Sequence, residues 1–193
     1  MEWIHPVSFL ILRELRWGER SITDLTKSIA PLLGKNPYGT VQRCSWKLAR
    51  HKVVNYERRG KKVLLSLRDS PLTKAALHLA EAVAFDEAMS KAAKPVADAA
   101  RELVEQICRE LGHVSLDAYF YGSFAKGTAT KVSDVDVLLV APREAVKAVE
   151  ETAGKVVGIH ALVVDKEMFQ EMVRDRGPHF QSVQAGIHLK LPM

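Results

Sequence analysis

The stretch Tyr121-Gly-Ser-Phe-Ala-Lys-Gly-Thr-Ala-Thr-Lys-Val-Ser-Asp-Val-Asp-Val-Leu-Leu-Val140 constrains this chain more than any other part of it. Gly122-Ser123 is followed, after ten intervening residues, by Asp134-Val-Asp136 and an apolar run. In a strand, residues two apart share a face. Asp134 and Asp136 therefore project together, with Leu138 and Val140 beyond them. Val135, Val137 and Leu139 line the other face. Apolar residues on both faces mean a strand covered on both sides. Two carboxylates at its start form a hard-oxygen site, suited to Mg²⁺ carrying a nucleotide's phosphates. Gly122 lets backbone approach a ligand where a Cβ would obstruct it. Ser123 can cap the helix that follows and offer N–H groups and a hydroxyl to phosphate.

Gly-Ser, the ten-residue gap and Asp-x-Asp together resemble the signature of the DNA polymerase β-like nucleotidyltransferase superfamily, most closely its minimal nucleotidyltransferases. The resemblance covers roughly residues 95–190. A helix expected over Val96–Leu111 and a strand over Leu116–Tyr121 precede the motif, which suits that fold. The resemblance implies an α/β (α+β) domain with a mixed sheet flanked by helices. It implies Mg²⁺-dependent transfer of a nucleoside monophosphate from an NTP to an acceptor, with release of pyrophosphate. Asp134 and Asp136 would hold the metal. Gly122 and Ser123 would hold phosphates, with Lys126 near enough in sequence to help.

Members of the superfamily usually carry a third carboxylate on a later strand. Here that strand is expected over Val156–Val164, ending at Asp165. Matching its end to Glu167-Met-Phe169 puts His160 at the usual carboxylate position. Three readings stay open. His160 replaces the carboxylate as ligand or base, since imidazole can do either. Asp165 or Asp117 takes the role through another geometry. Or the set is incomplete and the domain binds nucleotide without transferring it. His160, His179 and His188 could also suggest a metal site, but their spacings of 19 and 9 match no compact motif.

The N-terminal part is basic. Residues 1–70 hold 14 Lys+Arg against 6 Asp+Glu, and residues 71–193 hold 14 against 17. The two balances, +8 and −3, give the chain's net +5. A lopsided basic region suggests an anionic partner, with nucleic acid the default. Helical spacing predicts a first helix over Val7–Trp17, with Phe9, Leu10, Leu12 and Leu15 on one side. Ser21-Ile-Thr-Asp24 has the form of a capping box and opens a second helix to about Ala30. Pro31, Gly34, Asn36-Pro37 and Gly39 mark a loop. Thr40 then caps a third helix to about Arg50, with Val41, Trp46 and Leu48 turned inward. Val53–Glu57 and Lys62–Leu67 read as a hairpin around Arg58-Arg-Gly-Lys61.

Three helices and a basic-tipped hairpin resemble a winged helix-turn-helix domain. That resemblance implies DNA binding, with the third helix in the major groove and the hairpin along the backbone. Arg43, Lys47 and Arg50 are the recognition-helix candidates. Arg58, Arg59, Lys61 and Lys62 are the wing candidates, directed at phosphate.

The expected organisation is a winged-helix domain over 1–70, a helical linker over 71–94 and a nucleotidyltransferase fold over 95–193. The Ala-rich linker, with a stripe of Leu77, Ala80, Ala84 and Ala88, suits either packing on its own domains or homodimerisation. Pro142–Ala153 and Lys166–Arg174 read as helices, and Phe180–Leu191 as a short helix or strand. Two cysteines, Cys44 and Cys108, imply no disulfide framework. No run of eighteen apolar residues points to a membrane span, and the N-terminus lacks a secretory layout. The simplest setting is the cytoplasm. Beside the enzyme stand two non-catalytic readings: a DNA-binding regulator with a nucleotidyltransferase-like domain, and an antitoxin-like protein. The family's pairing with helical toxin-like proteins implies a separately encoded partner for the latter.

Overall fold

The computed structural model describes residues 4–33 and 36–192. The chain divides into two compact units, Met1–Glu81 and Ala82–Met193.

In the first unit, helix α1 spans Pro6–Leu15. His5 caps it, its Nδ1 accepting from the Val7 N–H at 3.1 Å. The buried stripe is Val7, Ile11, Leu12 and Leu15, with Phe9 and Leu10 only half-buried beside it. A two-residue strand β1, Arg20–Ser21, precedes α2, Ile22–Leu33. The capping box forms. The Asp24 N–H donates to Ser21 Oγ at 3.1 Å, and the Ser21 hydroxyl donates to the Asp24 carboxylate at 2.7 Å.

Helix α2 runs through Pro31, where a stop at Ala30 was expected. Pro31 deprives only the Lys27 carbonyl of its helical partner, and Lys27 lies on the exposed side. The loop marker Gly34 lies outside the described residues. Helix α3, Tyr38–Arg50, starts before Thr40. Asn36 Oδ1 accepts from the Tyr38 N–H at 3.2 Å, so the start is set by Asn36-Pro37 and Thr40 is not the cap.

Strands β2 (Val54–Arg59) and β3 (Lys62–Leu67) form the hairpin, with Arg59 opposite Lys62. β1 joins the free side of β3 antiparallel, giving the order β1-β3-β2. A two-residue strand has too little pattern to be read from sequence. Ile11, Leu25, Val41, Leu48, Val53 and Leu65 are fully buried at the centre of this unit.

Helix α4 spans Pro71–Lys91 without a break. Ser70 and Thr73 fix its start, and Thr73 Oγ1 donates to the Val53 carbonyl at 2.9 Å. Ala76 and Ala80 belong to the first unit's core, Ala88 to the second's. Glu81 is 1% exposed. Its carboxylate accepts from Arg13 Nε at 3.2 Å and is paired with the Arg16 guanidinium.

The second unit is built on a four-stranded mixed sheet. Helix α5 (Lys94–Glu110) leads to β4 (Leu116–Tyr121), the short α6 (Gly122–Ala125) and β5 (Val135–Ala141). A 3-10 turn at Arg143–Ala145 leads into α7 (Val146–Ala153), then β6 (Ile159–Asp165) and α8 (Lys166–Asp175). The last expected segment splits into α9 (Pro178–Gln184) and β7 (Ile187–Leu191). The strand order is β6-β5-β4-β7, with β5 and β6 parallel and the other pairs antiparallel.

Alternation sorts the side chains. Leu116, Ala118, Phe120, Val135, Val137, Leu139, Ile187 and Leu189 share the core with α5 and α7. Phe85 of α4 packs on Phe120 and Phe124, with ring centres 5.0 and 5.7 Å away. The opposite face carries Asp117, Tyr119, Tyr121, Asp136, Leu138, His160, Leu162 and His188, as the strand register requires. Gly186 lets β7 close onto β4, because a Cβ there would lie 2.4 Å from the Phe120 carbonyl oxygen. Among the described residues no helix is long and apolar enough to cross a membrane.

Candidate functional site

The motif turn places a carboxylate against bare backbone. Tyr121 pairs with Asp136 across β4 and β5, so Gly122 follows directly beside that carboxylate. Gly122 has φ 68°, and a Cβ built on it would lie 2.2 Å from Asp136 Oδ2. No other residue fits without moving Asp136. Ser123 does not cap α6. Tyr121 holds the cap position with no side-chain bond, and Ser123 falls inside the helix because the chain turns at Gly122, one residue earlier. The Ser123 carbonyl accepts from the Thr128 N–H at 2.9 Å, which ties the following loop back to the motif. Lys126 closes α6 and is exposed.

Asp134 stands just before β5 and is exposed. A Thr130–Ser133 pair holds its loop, with the Thr130 N–H donating to Ser133 Oγ at 3.0 Å. Asp136 is the first strand residue on the face away from α5 and α7. In the parallel ladder it lies beside His160, and His160 Nδ1 is 3.2 Å from Asp136 Oδ1. The His160 side chain is 77% exposed and that of Asp136 32%. Tyr121 completes the recess. Burial first, and then the Asp136 charge, push its hydroxyl above the usual tyrosine pKa. The exposed His179 meets the Tyr121 ring edge-on at 5.2 Å. Its sequence spacing carried no sign of this placement, which depends on how α9 folds back over β4.

The other carboxylate candidates lie elsewhere. Asp165 faces away from His160 and caps α8, accepting from the Met168 N–H at 2.8 Å. Asp117 is on the same face as Asp136 but four residues along β4 from Tyr121, about 13 Å of strand. It is bonded to His188 Nε2 at 2.7 Å. His188 stacks on Tyr119 with ring centres 4.6 Å apart, and Tyr119 stacks on Phe169 at 5.2 Å. Of the three histidines, His160 and His179 thus flank the Asp136–Tyr121 pair, whereas His188 is bonded to Asp117. Among the described residues, no group of three His, Cys, Asp or Glu side chains could hold a metal ion.

A hollow of about 480 Å³ lies at the Asp117 end of the strands, lined by His113, Pro142, Glu144, Lys166 and Lys190 among others. It does not include the Asp136 recess. Burial raises the Asp117 pKa, but the hydrogen bond and charge of His188, with Lys190 and Lys166, outweigh it and leave it below the usual 3.8. A depressed folded-state pKa stabilises the fold above the unfolded value, and the gain is lost as pH falls through the folded value. The contribution is therefore complete above pH 3.8 and disappears below it. In His188→Gln, the Asp117 carboxyl should titrate at higher pH than in the wild type. Carbon-13 NMR of that carboxyl checks this, and an unchanged titration would remove His188 as the cause.

In the first unit, Arg43 and Arg50 are exposed on α3 and Lys47 is half-buried between them. Trp46 does not pack inward. It is 52% exposed, while Val41, Cys44, Ser45 and Leu48 form the buried stripe. Positions 41, 44, 45 and 48 share one helix face, and 46 falls outside it. On the hairpin, Arg59 is committed to Glu57 and Glu19 at 2.8 and 3.1 Å. Arg58 Nε donates to the Gly60 carbonyl at 3.3 Å. Lys61 and Lys62 are exposed at the tip. Cys44 and Cys108 are free thiols.

Residues 100–179 match the family model described as a nucleotidyltransferase domain. The matched stretch contains Gly122, Ser123, Asp134, Asp136 and His160, and it ends at His179. The matched stretch falls within the second unit. Comparisons with curated proteins and with solved structures give no match.

Proposed function

We propose that the second unit transfers a nucleoside monophosphate from an NTP to an acceptor at the Asp134–Asp136 recess, and that the first unit is a winged helix that binds DNA. The observation that carries the enzyme reading is the contact geometry of the motif. Gly122, which has no side chain, packs against the Asp136 carboxylate where a Cβ would clash, inside the stretch that matches a nucleotidyltransferase domain. The bare backbone lets the Asp136 carboxylate sit directly against the motif turn, so that the acid and the N–H groups of the turn can face one bound group.

Two carboxylates at the open end of β5 suit a hard divalent ion shared with phosphate oxygens. Mg²⁺ held by Asp134 and Asp136 would supply charge neutralisation at the phosphates. The chain's own groups do the rest. Gly122 admits the phosphates, the Ser123 hydroxyl and neighbouring N–H groups donate to them, and Lys126 lends charge. His160, within hydrogen-bond reach of Asp136, holds the place of the third carboxylate. Its Nε2 accepts the acceptor's proton, with Asp136 orienting the ring through Nδ1–H.

The reading is tested by isothermal titration with ATP, CTP, GTP and UTP, each with and without Mg²⁺. Binding should need Mg²⁺ and disappear in Asp134→Asn/Asp136→Asn. His160→Ala should keep nucleotide binding and lose transfer by about 100-fold or more, the usual weight of a general base. No binding of any NTP would end the enzyme reading.

One observation favours a second reading. The third position holds an imidazole, and among the described residues no group of three His, Cys, Asp or Glu side chains could hold a metal ion. A nucleotide-binding regulator or antitoxin-like protein needs no third carboxylate. Mg²⁺-dependent binding without pyrophosphate release would support it. For the DNA-binding reading, the support is the helix–strand–helix–helix–hairpin order with β1 closing the sheet, together with the +8 balance of residues 1–70.

A further inference from the structure

The exposed face of α3 has an aromatic centre that composition does not explain. Arg43, Trp46, Lys47 and Arg50 fall at i, i+3, i+4 and i+7, which is one stripe along a helix. It lies away from the buried Val41, Cys44, Ser45 and Leu48. Helix α3 contains no acidic residue. Trp46 belongs to neither hydrophobic core. The Arg50 guanidinium lies 5.5 Å from its ring centre, within cation–π range, so the ring is steadied in its outward position. An outward indole surrounded by cations is a poor surface for water and a good one for a polyanion with apolar features.

We infer that Trp46 reads a thymine methyl group in the major groove of duplex DNA, with Arg43, Lys47 and Arg50 on the phosphates beside it. The inference rests on the DNA-binding reading of the first unit. The major groove admits a helix and displays the one apolar group on base edges, the thymine C5 methyl. The groove of A-form RNA is too narrow for a helix. Cations on either side of the indole match the phosphate ridges, which position without specifying. Trp46 is then the residue that supplies sequence preference, and the basic residues supply affinity.

The test uses the full chain and a library of duplexes with a randomised centre. Sites selected by the wild type are remade with deoxyuridine at each thymidine in turn, which deletes only the methyl group. One such position should weaken wild-type binding about tenfold. W46A should bind the unmodified site about tenfold more weakly and no longer distinguish thymine from uracil there. Since Trp46 lies outside the core, W46A keeps the fold, as circular dichroism would verify. R43A should weaken all duplexes alike, reduce the salt dependence and keep the thymine preference. A wild type indifferent to uracil at every position, or a W46A that keeps the discrimination, overturns the inference and leaves DNA binding standing. Failure to bind any duplex even at low salt overturns the DNA-binding reading as well.

Discussion

Gly122→Ala is expected to disable the second unit's site while leaving most of the fold in place. The new Cβ would sit 2.2 Å from Asp136 Oδ2, so the carboxylate or the turn must shift by roughly an ångström. The backbone at φ 68° adds a left-handed penalty of about 1–2 kcal/mol for a residue with a Cβ. Misplacing a working group by about 1 Å costs a reaction about 100-fold. On the proposed function, nucleotidyl transfer should fall by at least that, and Mg²⁺-dependent NTP binding should weaken with it. The His160–Asp136 contact should loosen too, since Asp136 is the group displaced. Titration calorimetry and NMR of the His160 ring read the two effects separately. A Gly122→Ala protein with wild-type nucleotide affinity would mean that the recess is not the binding site.

Glu81→Ala is expected to have the largest effect on stability. Glu81 is almost fully buried between two guanidinium groups, with Arg16 itself largely inaccessible. Removing Glu81 takes from Arg13 and Arg16 the buried carboxylate that both bond, and breaking a buried ion pair costs about 3–5 kcal/mol. All three tryptophans, Trp3, Trp17 and Trp46, precede Ala82 in sequence, where the second unit begins. Tryptophan emission therefore follows the first unit alone during urea unfolding. Its midpoint should fall markedly in Glu81→Ala. Replacing Arg13, Arg16 and Glu81 together with apolar residues of similar volume should recover most of the loss, because no charge is then left buried. A Glu81→Ala midpoint equal to the wild type would show that the cluster is solvated in solution.

Wherever neighbours in sequence are neighbours in space, the chain could be read directly. Ser21 and Asp24 lie one helical turn apart, so the capping box formed from spacing alone. The alternation in Val135–Val140 assigned each side chain to a face before any partner strand was known, and the structure keeps that assignment. The two parts of the motif lie close for the same reason: α6, with Gly122-Ser123, follows β4 directly, and Asp136 lies on the adjacent β5 after one short connection.

Contacts that depend on distant segments were not legible. Trp46 looked like a core residue because an indole usually is one, yet only the packing of α1 and α2 on Val41, Cys44 and Leu48 decides which side of α3 is covered. Burial of Glu81 depends on α4 returning to α1, a contact spanning more than sixty residues of chain. Phe180–Leu191 could be helix or strand until β4 offered an edge for β7 and Gly186 allowed the approach. The Asp117–His188 pair follows from that docking. His160 shows the division most clearly. Its place in an apolar run announced a strand, and resemblance suggested its position. The 3.2 Å approach to Asp136 exists only because β6 pairs with β5 in one register. A slip of one residue would turn His160 to the other face, and burial of Ile159, Ala161 and Val163 against the core is what prevents it. Local spacing was therefore enough to determine the motif and its strand, whereas non-local burial decided which groups meet there.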